Sequence, residues 1–454
     1  MRRSPFLILL VLLVLASLVA AAPVGAEPGD PAKVTQGRNA AVGEFPGQVA
    51  LLFDNEPGNA FQDQYCGGTL IAPEWVLTAA HCLIIEGDIL VLPDVIVGTT
   101  RLDGSGTRID SVGTFIHPDF SFPANDIGLV HLATPAPGPL ARLSLPGHEV
   151  LEVPGTPAFV TGWGGLSGDE SSQSFPIDLQ VGAVPVIADD VCQTRLAAHG
   201  DSFPGAAAPT IVCAGNGTIS SSSADVDACR GDSGGPLWAT GRDGLRRQLG
   251  IVSGGPTCGF SPTYYTSVAS FIGVIEAQTG LSLASFPDIV GNLLEVEIER
   301  IAVFGITAGD LSGNYVPTGQ VTRGQMASFL ARALGLAPIG QGPFSDVTGG
   351  GAHDANINAV AAAGIASGFG DGTFRPELAV NRAQMATFLA RALGLAPIGQ
   401  GPFVDLAGFE THAGSVNAIA AAGIARVPSD NRYQPGNPVS RAQMAAFLSR
   451  AFLT

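Results

Sequence analysis

Lysine is almost absent: Lys33 is the only one in 454 residues, and arginine does not make up the deficit, because 22 basic residues face 39 acidic ones for a formal charge of −17. That balance excludes nucleic acid as the natural partner, since a polyphosphate backbone demands clustered cations and no basic patch or aromatic-basic interleaving occurs. Long apolar runs are missing after residue 22, so no later stretch can span a bilayer. Cysteine is scarce but even in number; six in an exported chain imply disulfides with no orphan thiol, and the spacing alone leaves every pairing open. Clustered carboxylates of the calcium-loop kind are also missing. Neither a metal nor an organic cofactor is expected.

What is present begins with an export signal. Met1-Arg2-Arg3 is a basic head, Phe6 to Ala22 is apolar, and Val24-Gly25-Ala26 fits the small-residue cleavage rule. Residues 1–26 are therefore expected to be removed, leaving a secreted, extracellular chain without a membrane span. Residues 27–33 read as a short activation propeptide. Cleavage after Lys33 would free an amino group on Val34, and a buried ammonium requires a buried anion, for which Asp232 is the candidate. From Val34 to Ser285, 9 arginines face 25 acids, so this segment repels polyanions and attracts basic ligands.

The chemistry centres on Asp227-Ala228-Cys229-Arg230-Gly231-Asp232-Ser233-Gly234-Gly235-Pro236. A serine hydroxyl is a weak nucleophile and needs a base, a group that orients the base, and donors for the oxyanion it creates. Ser233 is the candidate hydroxyl, and the amides of Gly231 and Ser233 are the candidate donors. His81, in Leu77-Thr78-Ala79-Ala80-His81-Cys82, is the candidate base. Asp126, in Asn125-Asp126-Ile127-Gly128-Leu129, heads an apolar strand and must find a donor there, for which an imidazole N–H is suitable. The order His, Asp, Ser matches a known triad arrangement.

With Thr161-Gly162-Trp163-Gly164 added, these motifs resemble the trypsin/chymotrypsin-like serine endopeptidases over residues 34–285. The resemblance implies an all-β fold of two six-stranded antiparallel barrels with the site between them, and a closing helix for which Val268 to Thr279 is suitable. It also implies the disulfides Cys66 with Cys82, Cys192 with Cys213, and Cys229 with Cys258. Short alternating runs broken by glycine and proline favour an all-β reading independently. Asp227 is placed by the resemblance at the floor of the specificity pocket, where a buried carboxylate favours arginine or lysine in the substrate. Ser253 and Gly255 would form one wall. Two departures matter: Gly254 stands where tryptophan is common, and Thr263 stands at a glycine position, narrowing the route for a long cation. A preference for small side chains is therefore the competing expectation.

The remaining chain repeats. Gly305, Gly364 and Gly423 recur at intervals of 59, as do Arg323, Arg382 and Arg441. Helical spacing marks Ile357 to Ala366 and Arg382 to Leu395, and Thr322, Asn381 and Ser440, each with glutamine three residues on, read as capping boxes. Units 286–343, 344–402 and 403–454 resemble the S-layer homology repeats of bacterial surface proteins. That resemblance implies a C-terminal α-helical module attached to the cell envelope through an anionic cell-wall polymer held by Arg323, Arg382 and Arg441. The chain has Thr-Arg-Gly-Gln, Asn-Arg-Ala-Gln and Ser-Arg-Ala-Gln where the family often has Thr-Arg-Ala-Glu. The expected product is a multidomain serine endopeptidase acting on protein or peptide substrates; a non-catalytic surface adhesin on the same scaffold is the alternative from another class.

Overall fold

The computed structural model describes residues 37–53, 59–85, 89–166, 174–203, 209–215, 226–256, 258–259 and 262–453. The expected signal segment, the propeptide with Lys33, and Val34 lie outside them. No helix among the described residues is long and apolar enough to cross a membrane.

After the short strand β1 (Arg38–Asn39), the first half builds from β2 (Gln48–Leu52), helix α1 (Ala60–Asp63), β3 (Gln64–Ala72), β4 (Trp75–Thr78), a hairpin of β5 (Ile84–Ile85) and β6 (Ile89–Leu90), β7 (Asp94–Val97), β8 (Thr107–Ile109), β9 (Ser111–Ile116) and β10 (Gly128–Leu132). The sheet order is β8-β7-β2-β3-β4-β10-β9, all antiparallel. Its two edges, β8 and β9, are separated only by Asp110, so the sheet closes into a ring of six strand positions. Leu51, Leu70, Val76, Val95 and Leu129 fill it.

The second half contains β11 (Pro157–Gly162), β12 (Gln180–Ile187), helix α2 (Asp189–Ala198), β13 (Ile211–Ala214), β14 (Pro236–Thr240), β15 (Arg246–Gly254) and β16 (Thr263–Ser267). The order β12-β11-β14-β15-β16-β13 closes because β12 also pairs with β13, and β1 adds to the outside of β12. Helix α3 (Ile272–Thr279) follows; it is shorter than the sequence suggested, since Ala269–Phe271 forms a 3-10 turn, and Gly280 at φ 71° ends it. Ile272 and Ile275 pack onto the first ring's core, tying the halves together.

The C-terminal module consists of α4 (Glu295–Val303), α5 (Arg323–Ala333), α6 (Asp354–Ala362), α7 (Arg382–Ala392), α8 (Glu410–Ala421) and α9 (Arg441–Phe452). The helix expected over 357–366 starts earlier and stops at Ala362, with Gly364 in the left-handed region behind it. All three capping boxes are formed. Packing crosses the unit boundaries: α5 lies on α6, α7 on α8, and α9 returns to α4. At the centre, Val380 N donates to Val321 O, Val439 N to Val380 O, and Val321 N to Val439 O, a closed triangle of hydrogen bonds at 2.9–3.0 Å. Each unit thus completes its core only with its neighbours.

Candidate active site

His81 sits in a 3-10 turn (Ala80–Leu83) directly after β4, and the disulfide Cys66–Cys82 fastens that turn to β3. Asp126, fully buried, is just before β10, the strand that pairs with β4. The pairing brings them together: His81 Nδ1 lies 2.7 Å from Asp126 Oδ2, and the His81 amide donates to Oδ1 at 3.0 Å. Ser253 Oγ donates to Oδ2 at 2.6 Å, and Thr266 Oγ1 donates to the Asp126 carbonyl at 3.0 Å. A carboxylate beside Nδ1 fixes the N–H there, so Nε2 carries the lone pair that can accept a proton. Ser253, expected in the pocket wall, is therefore also a buried partner of Asp126.

Ser233 lies in the loop before β14, where glycines permit close approach. Gly234, at φ 75°, leaves no room for a Cβ against Thr78 Oγ1 and the Ala79 amide, two residues from His81. Gly67 N donates to the Ser233 carbonyl at 2.7 Å. No hydrogen bond joins Ser233 Oγ to His81 among the described residues; in sites without substrate such bonds are often long. The neighbouring amides are used internally, Asp232 N by Cys229 O, Gly234 N by Val252 O and Gly235 N by Asp232 O, whereas those of Gly231 and Ser233 donate to no acceptor among the described residues. Gln64 Nε2 donates to the Gly231 carbonyl at 2.7 Å, and Gly231 is held at φ 95°.

Asp232 anchors this loop from below. Its carboxylate accepts from Gly164 N at 2.7 Å and Cys229 N at 2.9 Å, and burial pushes its pKa up to about 6 against those two bonds. Gly162 and Gly164 stand where any Cβ would collide with that carboxylate, which is the physical requirement behind Thr161-Gly162-Trp163-Gly164. Sequence reasoning identified this motif without its role and missed Gln64 altogether; a lone glutamine at the head of a strand carries no distinguishing signal.

A cavity of about 560 Å³ opens beside Ser233, lined among others by Phe122, Arg230, Gly255 and Thr263. Asp227 is 1% exposed, and its Oδ1 accepts from the Ala228 amide and from Thr263 Oγ1. Thr263, and not Asp227, contributes to the cavity wall. A Cβ at Gly254 would collide with the Tyr264 hydroxyl on the adjacent strand, so this arrangement leaves no room for a side chain there. The remaining disulfides join Cys192 to Cys213 and Cys229 to Cys258, the latter linking the Ser233 loop to the opposite cavity wall.

In the module, the three arginines reach into the next unit. Arg323 Nε donates to Phe374 O, Arg382 Nε to Tyr433 O and Arg441 Nε to Tyr315 O at 2.5–2.7 Å, with each guanidinium over the same aromatic ring at 4.3–4.7 Å. Arg323 is 5% exposed, and burial lowers its pKa to about 10.

The S-layer homology domain profile matches residues 297–327, 343–386 and 402–445, giving three such repeats. Transmembrane protease serine 11C of Mus musculus is 33% identical over 258 residues, which cover 55% of this chain and 54% of that protein, so the chain spans about half the length of this curated relative. The trypsin family profile matches residues 34–275, more than half of the chain and the whole of both rings, and the chain belongs to the trypsin family.

Proposed function

We propose that the chain is a serine endopeptidase held at the cell envelope by its repeats. The observation that carries the catalytic reading is the fully buried Asp126 carboxylate, bound at once to the His81 ring, the His81 amide and Ser253. In this reading Ser233 attacks the peptide carbonyl, His81 Nε2 takes the hydroxyl proton and returns it to the leaving amine, and Asp126 stabilises the imidazolium. The oxyanion accepts from the Gly231 and Ser233 amides. Water then releases the acyl group by the same path in reverse roles. Labelling of Ser233 by a fluorophosphonate tests this; an adhesin on a protease scaffold would not react.

The Asp227 carboxylate supports cleavage after arginine or lysine. A second reading, cleavage after short side chains, is favoured by the Thr263 hydroxyl, which already bonds Asp227 and forms the wall in front of it. Turnover of arginine against alanine substrates separates the two, and Thr263→Gly is expected to raise the arginine-to-alanine ratio roughly tenfold or more by uncovering the carboxylate.

Cleavage after Lys33 would place the Val34 ammonium where it could neutralise Asp232. For the module, the arginine Nε atoms are committed to the fold, but a 220 Å³ groove lined by Arg323, Gln384, Thr387, Arg391 and His412 offers the exposed Arg391 guanidinium to an anionic polymer. Sedimentation of the chain with cell-wall material, and its loss on Arg391→Ala, tests that attachment.

A further inference from the structure

The three repeat units are not equivalent where their first helices meet the rest of the chain. Counting back from Gly305, Gly364 and Gly423, the second and third units carry the same residues at four positions: Asn358 and Asn417, Ala359 and Ala418, Ala362 and Ala421, Ala363 and Ala422. The first unit has Glu299, Arg300, Val303 and Phe304 there. In the later units the last two positions are alanines open to water. In the first, Val303 is 0% exposed, and both Val303 and Phe304 pack into the core of the second barrel beside Leu151, Val160 and Leu249.

Every one of the four differences has a partner in the protease. Glu299 is 2% exposed; its Oε1 accepts from the Ser285 amide at 2.6 Å, and its Oε2 lies 3.3 Å from Nε2 of the buried His148. His148 Nδ1 accepts from the Leu145 amide, which leaves the proton on Nε2, the ring nitrogen nearest the carboxylate. Arg300 bonds Glu149 at 3.1 Å with one nitrogen and Ser449 of α9 at 3.0 Å with another, bridging protease and module. The Phe304 ring lies 4.9 Å beneath the Arg242 guanidinium, and Asp243 N donates to Val303 O. Gly147 and Gly305 leave the backbones free to meet, since a Cβ on either would press on Val296 and Glu299 or on Arg242.

We propose that the first repeat unit is a docking unit built for the second barrel, so that protease and module fold and unfold as one body. Polar and apolar contacts coincide on one face of α4, whereas a flexible tether would leave its last two positions small and open to water, as they are in the other units. The boundary expected at 285/286 separates sequence units and not packing units. The module then holds the active-site cleft at a fixed attitude to whatever surface the repeats bind.

The test writes the later units' residues into the first: Glu299→Asn, Arg300→Ala, Val303→Ala and Phe304→Ala together, in the full chain. Because the second and third units fold with these residues, the module's helical circular dichroism should persist. Wild type is expected to melt in one calorimetric transition, and the variant in two, with nicking between 280 and 294 by an added protease accelerated about tenfold or more. A second variant, Glu149→Ala with Arg242→Ala, leaves the module's sequence untouched and should move both readouts in the same direction by less. Two separate transitions in wild type would overturn the proposal, as would a quadruple variant that melts once and resists nicking like wild type.

Discussion

Asp126 in the barrels and Arg323 in the repeats are both charges taken out of water, and they are satisfied in opposite ways. The Asp126 carboxylate is held by three donors, one of which, the His81 ring, carries its influence out to an open cleft. Arg323 spends its Nε and one terminal nitrogen on the Phe374 and Ser367 carbonyls and lies over the Phe374 ring, all within the fold. A buried charge with a path to solvent through a titratable ring can do chemistry. One sealed by carbonyls and rings supplies cohesion between units.

Three experiments break or sharpen that contrast. The largest effect belongs to Ser233→Ala, expected to lower turnover roughly a million-fold with no change in melting temperature. Residual hydrolysis near the native rate would remove the barrels' claim to chemistry. Arg323→Ala comes next and should do the converse: about 3 kcal/mol of stability lost, through unsatisfied carbonyls and an emptied aromatic slot, with unchanged turnover of a small peptide ester per folded molecule. Calorimetry and active-site titration on the same sample check both halves. The smallest effect concerns Asp232. Its folded pKa, raised to about 6, lies above the ordinary carboxylate value of 3.8, so its contribution to stability is fully present below pH 3.8 and is lost as pH rises through 6. Supplying the Val34 ammonium by cleavage after Lys33 should flatten that loss. Melting temperatures of uncleaved and cleaved chain between pH 4 and 7 are expected to diverge as pH rises; parallel curves would detach the new amino terminus from Asp232.

Much of the site was legible because its chemistry demands rare combinations. A histidine beside a cysteine, an aspartate heading an apolar strand, and a glycine-flanked serine stand out in any chain, and the capping boxes at Thr322, Asn381 and Ser440 were equally plain because their partners are three residues away. Less visible were Gln64 supporting Gly231, Gly164 bonding Asp232 and Thr263 bonding Asp227, since each partner is far off in sequence and each residue type is common. The arginines of the repeats were conspicuous by their period, but the period reports a recurring need and not its kind. Their carbonyl partners lie 51 residues on for Arg323 and Arg382 and 126 back for Arg441, a relation that exists only once the module closes on itself.

By itself the sequence determined where strands alternate, where helices are capped, that the chain repeats with a period of 59, and which local motifs surround the histidine, aspartate and serine of the proposed site; these depend on neighbours a few residues apart. Only the tertiary structure decided that Thr263 covers Asp227, that three arginines cement a ring of units, and that Val303 belongs to the core of a barrel ending before it in sequence. Those outcomes depend on which surfaces exclude water together, and burial joins groups regardless of their separation along the chain.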